Sequence, residues 1–338
     1  SRPPRHHHAT TMSDTVPTSA LRLHSFRALQ PGPRLIVTGA VHGNETCGSR
    51  AIERLVGELD RGELVLARGC LTLLPITNPL AYRRGQRMGE RNLNRNLYPN
   101  PLPQDYEDHI ANVLCPLLAQ HDVLLDLHSF HSAGEPFVML GPKDNTDELE
   151  PFSHAAQEEA LALALGPRRI VEGWLPTYAQ GVKSRLARTS VADRARLLSV
   201  DPRYGVGTTE YMRSQGGYGV TLECGQHDDP QAPEVGWRAI RNTLAMLQIV
   251  DAPTPAPVAA PQMLRLTQVI DKLHDDDRFT RAWSSYDPVA EGDAVGVRHD
   301  GTPVLAQTDG FIVFPNPAAL AGNEWFYFAQ ASARLGAP

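Results

Sequence analysis

The chain has 338 residues, 41% of them hydrophobic, and a formal net charge of -6, which is enough for one large domain plus a small one with an ordinary core. No run of Lys or Arg forms a patch that would track phosphates, so nucleic acid is not an expected partner, and no apolar run approaches the length of a membrane span. Lysine occurs only at Lys143, Lys183 and Lys272; the remaining basic residues are Arg, whose planar fork suits carboxylate recognition.

The opening segment, residues 1–20, is polar, carries His6, His7 and His8, and is expected to be disordered, with Met12 as the natural start. It lacks a signal-peptide pattern, and Cys47, Cys70, Cys115 and Cys224 show no paired spacing. Reduced thiols and a cytoplasmic location are therefore expected.

Residues 21–28 alternate like a strand, 34–40 (RLIVTGA) read as a short buried strand, and 46–59 have helical spacing of Ile52, Leu55, Val56 and Leu59. Residues 64–76 are again strand-like, 104–120 helical, and 122–127 (DVLLDL) another buried strand. A helix is expected over 148–165, a strand over 218–222 and a helix over 234–250. This alternation favours a mixed α/β sheet flanked by helices, forming one domain over 21–250. Residues 251–262, rich in Pro and Ala, read as a linker. Turn signals at 291–293, 300–301, 309–310 and 322–323 then mark a small all-β domain over 263–338.

His42 and Glu45 lie in GAVHGNE, after a strand and before a helix, at the sheet edge where α/β folds place ligands. An imidazole and a carboxylate three residues apart can reach one ion, although so short a pattern also arises by chance. His128, at the end of the 122–127 strand, supplies a third ligand, and two His plus one Glu leave one position of a single zinc ion open for water. Asp126 points to the same side of its strand as His128; it either accepts the second N–H of a ligating His or is an ordinary strand-end carboxylate. His131 and His227 are expected to be solvated or structural.

The motifs GAVHGNE, RMGERNLNR (87–95), DLHS (126–129) and VTLECG (220–225) occur in that order, and the chain thereby resembles the succinylglutamate desuccinylase and aspartoacylase family, related to the zinc carboxypeptidases. The resemblance implies zinc held by His42, Glu45 and His128, with Glu223 as the catalytic carboxylate and Arg87 stabilising the oxyanion of the intermediate. It further implies that Asn94, Arg95 and Arg213 bind substrate carboxylates. Two positions depart from the family pattern: Asn92 stands where Asp is common, and Thr209 where Tyr is usual, with Tyr211 as a substitute from another point on the backbone. Both departures are expected to affect substrate recognition rather than zinc.

The C-terminal domain resembles a barrel-sandwich module, but no lysine follows Lys272 to carry a prosthetic group, which leaves a lid, a channel wall or a homo-oligomer contact. The expected activity is hydrolysis of the amide bond of a small N-acyl amino acid, such as an N-succinyl or N-acetyl compound. A zinc carboxypeptidase acting on small peptides is the nearest alternative, and a catalytically silent metal-binding protein the more distant one.

Overall fold

The computed structural model describes residues 20–194 and 200–335; the expected disorder of residues 1–20 lies almost wholly outside them. In chain order the elements are β1 (His24–Arg27), β2 (Arg34–Thr38), α1 (Cys47–Asp60), β3 (Cys70–Leu74), α2 (Pro79–Arg84), α3 (Tyr106–Ala119), β4 (Val123–Phe130) and β5 (Phe137–Met139). There follow α4 (Ala155–Ala164), β6 (Arg169–Glu172), α5 (Trp174–Arg188), α6 (Val191–Arg194), α7 (Thr208–Ser214), β7 (Tyr218–Gln226) and α8 (Ala232–Met246). The remainder is all strand: β8 (Gln262–Asp271), β9 (Arg278–Phe279), β10 (Pro288–Val289), β11 (Ala294–Val297), β12 (Pro303–Leu305), β13 (Gly310–Val313) and β14 (Glu324–Ala331).

Eleven strands form one mixed sheet in the order β1-β3-β2-β4-β7-β5-β6-β8-β14-β13-β10. Period-two alternation sorts the side chains of its centre. Leu35, Val37, Leu125, Leu127, Val220 and Leu222 face one way, against α1, α4 and α8. Ile36 and Leu124 face the other, against α3 and α7. Because β2, β4 and β7 run parallel, their carboxyl ends open together, and the second face there carries polar residues instead of core.

The C-terminal strands extend this same sheet: β8 pairs in parallel with β6 and antiparallel with β14. The three-stranded sheet β12-β11-β9 packs over its far end around Val289, Val295, Ile312 and Trp325. A separate cluster, with Phe130, Phe137 and Val171 on one side and Leu264, Tyr286, Val313 and Tyr327 on the other, joins the β-rich end to the rest. Among the described residues no helix is long and apolar enough to cross a membrane.

Several boundaries differ from expectation. The strand expected from residue 64 begins only at Cys70, after Gly69, whose φ of +74° breaks extended backbone and whose added Cβ would meet the Pro33 carbonyl at 2.2 Å. The helix expected from residue 148 begins at Ala155, because Asn145 and Phe152 form a bridge across that stretch. β5, β6, α5 and α7 were not anticipated; β5 and β6 are three and four residues long, too short for alternation to register.

Candidate active site

His42 and Glu45 sit on the turn between β2 and α1, and His128 near the end of β4, so ligand atoms from two distant segments come within 4.8 Å of one another. His42 Nδ1 is 2.6 Å from Glu45 Oε2, and His128 Nδ1 is 3.1 Å from Glu45 Oε1. All three residues are buried. The turn is held by close packing, since a Cβ at Gly43 would lie 2.0 Å from the backbone of Ala81 in α2.

The other nitrogen of each imidazole is engaged outward. His128 Nε2 donates to Asp126 Oδ2 at 2.8 Å, while Thr38 and Thr208 hydroxyls donate to the same carboxylate. His42 Nε2 donates to Asn92 Oδ1 at 2.9 Å. Both rings therefore turn Nδ1 inward, with a partner fixing each ring's orientation. Burial, reinforced by Arg87, lowers the His42 pKa to about 4 and keeps that ring neutral. Burial also opposes charge on His128, but Asp126 and Glu45 outweigh it and hold that ring well above the usual imidazole range. Two neutral-capable nitrogens and a carboxylate, buried and oriented, fit a single divalent ion of the zinc type.

Asn92, the first departure, lines the cavity as expected and in addition holds the His42 ring. An amide oxygen can accept the imidazole N–H as a carboxylate does, without adding a charge. The second departure resolves differently. Tyr211 does not replace the missing tyrosine, because it packs among the residues between the sheet and α3, edge-on to Tyr98 at 6.3 Å; Thr209 itself lines the cavity.

Glu223 on β7 is the register partner of His128 across the parallel pair, so the two side chains emerge side by side on one face. Its carboxyl is buried, its Oε2 has no partner, and burial pushes its pKa well above the usual range against the opposing pull of His128 and Arg87. Arg87 reaches Glu45 Oε2 at 3.3 Å and is about half exposed to the cavity.

The 87–95 segment is shaped by residues that sequence reasoning missed. The wholly buried Glu107 carboxylate accepts the N–H groups of Gly89, Glu90 and Arg91, and Arg91 pairs with Asp105 and Asp108 while donating to the Arg95 carbonyl. Asn94 Oδ1 accepts from the Thr208 N–H at 2.9 Å; Gly207 permits the approach, because a Cβ there would sit 2.1 Å from that oxygen. Arg95 lies over the Trp174 ring at 4.6 Å.

A cavity of about 1010 Å³ connects these groups. Its lining includes His42, Glu45, Arg87, Asn94, Arg95, His128, Glu223 and Arg213, together with Trp174 and Tyr178 of α5 and Leu320 and Tyr327 from the C-terminal end. Arg213 differs from the other arginines. Its three guanidinium nitrogens donate to Glu158, Glu150 and the Gly219 carbonyl, so it is committed to a buried ion cluster. Burial pushes Glu150 up to about 7, with Glu210 and Glu158 adding to the rise and Arg213 opposing it. His131 and His227 both line the cavity, and His227 Nδ1 accepts from Ser129 at 2.7 Å.

Residues 31–169 match the succinylglutamate desuccinylase/aspartoacylase catalytic domain. A succinylglutamate desuccinylase from Vibrio cholerae is 25% identical over 323 residues, covering 90% of this chain and 84% of the relative. An N-alpha-acetyl-L-2,4-diaminobutyric acid deacetylase from Halomonas elongata is 36% identical over 104 residues, 29% of each protein. The fold is shared with a succinylglutamate desuccinylase/aspartoacylase crystal structure from Rhodobacter sphaeroides, at a TM-score of 0.69 and 18% identity, covering 92% of this chain and 90% of that one. Over residues 31–169 the chain thus matches that catalytic domain, and the relatives it is similar to are named as a desuccinylase and a deacetylase.

Proposed function

We propose that this enzyme is a zinc-dependent amidohydrolase that removes the acyl group from a small N-acyl amino acid, with one ion held by His42, Glu45 and His128. The observation that carries the reading is the side-by-side emergence of His128 and Glu223 on β4 and β7, which puts a carboxyl group whose Oε2 has no hydrogen-bond partner next to the candidate ligand cluster. When bound, zinc supplies Lewis acidity that makes a water nucleophilic near neutral pH. Glu223 takes the proton at its carboxylate and delivers it to the leaving amine. Arg87 holds negative charge that develops on the carbonyl oxygen. Arg95 and the Asn94 amide N–H groups hold a substrate carboxylate, with Trp174 keeping the guanidinium plane in place.

The relatives' names, desuccinylase and deacetylase, support an acyl group of the succinyl or acetyl kind. A cavity wall made by Phe314, Pro315, Ala319 and Leu320 disfavours extended peptides and so weighs against the carboxypeptidase alternative. In this reading residues 21–250 are the hydrolase domain, 263–338 supply the wall, and the free thiols suit the cytoplasm. Arg213 acts on the substrate only indirectly, by fixing Glu150 and Glu158.

The test is a panel of N-acetyl and N-succinyl amino acids assayed for free amine with zinc-loaded protein and with Glu223→Gln. The variant should keep its zinc and lose about 100-fold or more in turnover. Undiminished activity would remove Glu223 as the base.

A further inference from the structure

Across the sheet, His128, Glu223, Phe137 and Arg169 are successive register partners on β4, β7, β5 and β6. Opposed residues share a face, so these four side chains form one row above the cavity side of the sheet. Tyr286 lies on that row. Its ring packs edge-on against Phe137 at a centroid distance of 4.9 Å, and the Arg169 guanidinium lies 4.0 Å from the ring centre.

Tyr286 belongs to the C-terminal β-rich end, and its backbone is unusual. Its φ is +73°, a conformation that a bulky residue adopts only when its surroundings impose it. Here the Tyr286 N–H donates to the Ile312 carbonyl at 2.6 Å, the Ser285 N–H donates to the Ala133 carbonyl at 3.1 Å, and Ser285 Oγ accepts from Phe314 N–H. The loop is thus tied both to β13 and to the segment following His128.

The Tyr286 hydroxyl is enclosed and has no partner, and the same is true of Glu223 Oε2. Buried polar groups without partners are uncommon, and each calls for a physical reason. The other enclosed phenols without partners, Tyr178 and Tyr327, pack against Trp174 instead. Burial raises the Tyr286 hydroxyl pKa well above the usual range, with Arg169 opposing the rise and Glu223 adding to it.

We propose that Tyr286 is a positioning residue for Glu223: in the zinc-loaded enzyme its hydroxyl, unpartnered in this structure, turns to donate to the enclosed Oε2 oxygen and aims the other oxygen at the reacting water. The β-rich end then contributes to the chemistry as well as to the cavity wall. The proposal rests on Glu223 being the base.

The test uses the full zinc-loaded chain with N-succinyl-L-glutamate and N-alpha-acetyl-L-2,4-diaminobutyrate as probes. Tyr286→Phe keeps the ring and removes only the hydroxyl. It should lower kcat by about 10- to 100-fold, the range for a lost hydrogen bond to a charged group, with KM and Tm unchanged, and it should cost nothing further in a Glu223→Gln background. Wild-type kcat in Tyr286→Phe, equal losses in both backgrounds, or a fall in Tm accompanied by changes in both KM and kcat would overturn the proposal. Full activity of Glu223→Gln alone would remove the base assignment itself, a different failure. A measurement that needs no turnover is the infrared C–O stretch of Tyr286, identified as the band lost in Tyr286→Phe. That band should shift in Glu223→Gln, and an unmoved band would overturn the proposal whichever probe is hydrolysed.

Discussion

The two ends of the cavity are built on different principles. Around His42, Glu45 and His128 the ring nitrogens that face away from the cluster have partners supplied by strand ends and adjoining turns. Around Arg95 the contacts are looser: its guanidinium donates to the Asn94 carbonyl and lies over Trp174 and Tyr178, and it feels the charge of Glu324. The first end is pre-organised by backbone geometry. The second, in the proposed reading, is completed by a substrate carboxylate.

The largest effect should come from breaking the first end. His128→Ala removes an inward ligand and leaves Asp126 buried beside Glu45; bound zinc should be lost and turnover with it, by about four orders of magnitude or more, measured by metal analysis and amine release. Retained stoichiometric zinc would show that the cluster is not the metal site. A smaller effect tests the second end: Arg95→Ala should raise KM for carboxylate-bearing substrates about 10- to 100-fold while zinc content stays intact, and Arg95→Lys should recover only part of the loss, because a lysine gives neither a bidentate fork nor the stacked contact on Trp174. Equal loss of zinc in the Arg95 variants would dissolve the distinction between the two ends.

The smallest effect concerns the buried cluster between them. Glu150 has a folded-state pKa of about 7 against an ordinary 4.5. A raised carboxyl pKa means that the folded state favours the protonated form, so its contribution is complete below pH 4.5 and is lost as pH rises through about 7. The Tm of the wild type should therefore drop across that window, and Glu150→Gln, which stays neutral, should flatten the drop. An identical pH profile in the variant would show that Arg213 holds Glu150 ionised throughout.

The parts of the site that were legible in the sequence are those whose position follows from local pattern. The strands near Thr38 and Leu127 are mostly apolar, and the pattern alone puts His42, Glu45 and His128 close to their carboxyl ends, whereas Glu223 is singled out by the motif order of the resemblance. The same local logic gave only part of the role of Asn92, which lines the cavity and also holds His42. Its neighbours in sequence include Asn94 and Arg95, which face the cavity, but the turn held by Glu107 swings its amide toward His42. That logic failed for Arg213, because the acids that claim it come from residues 150 and 158, more than fifty positions away.

By itself, then, the sequence determined the family resemblance, most of the alternating strands and helices, and the candidate residues His42, Glu45 and His128 near strand ends, with Glu223 singled out by the resemblance, since periodicity and motif order are properties of the linear chain. Only the tertiary structure decided that the C-terminal strands join the same sheet through β6 and β8, that Arg213 is tied into a buried ion cluster, and that Tyr286 rests on the row beside Glu223. The physical reason is that these outcomes depend on contacts between segments far apart in the chain, where burial, charge pairing and register are set by packing and leave no periodic trace in the residues that make them.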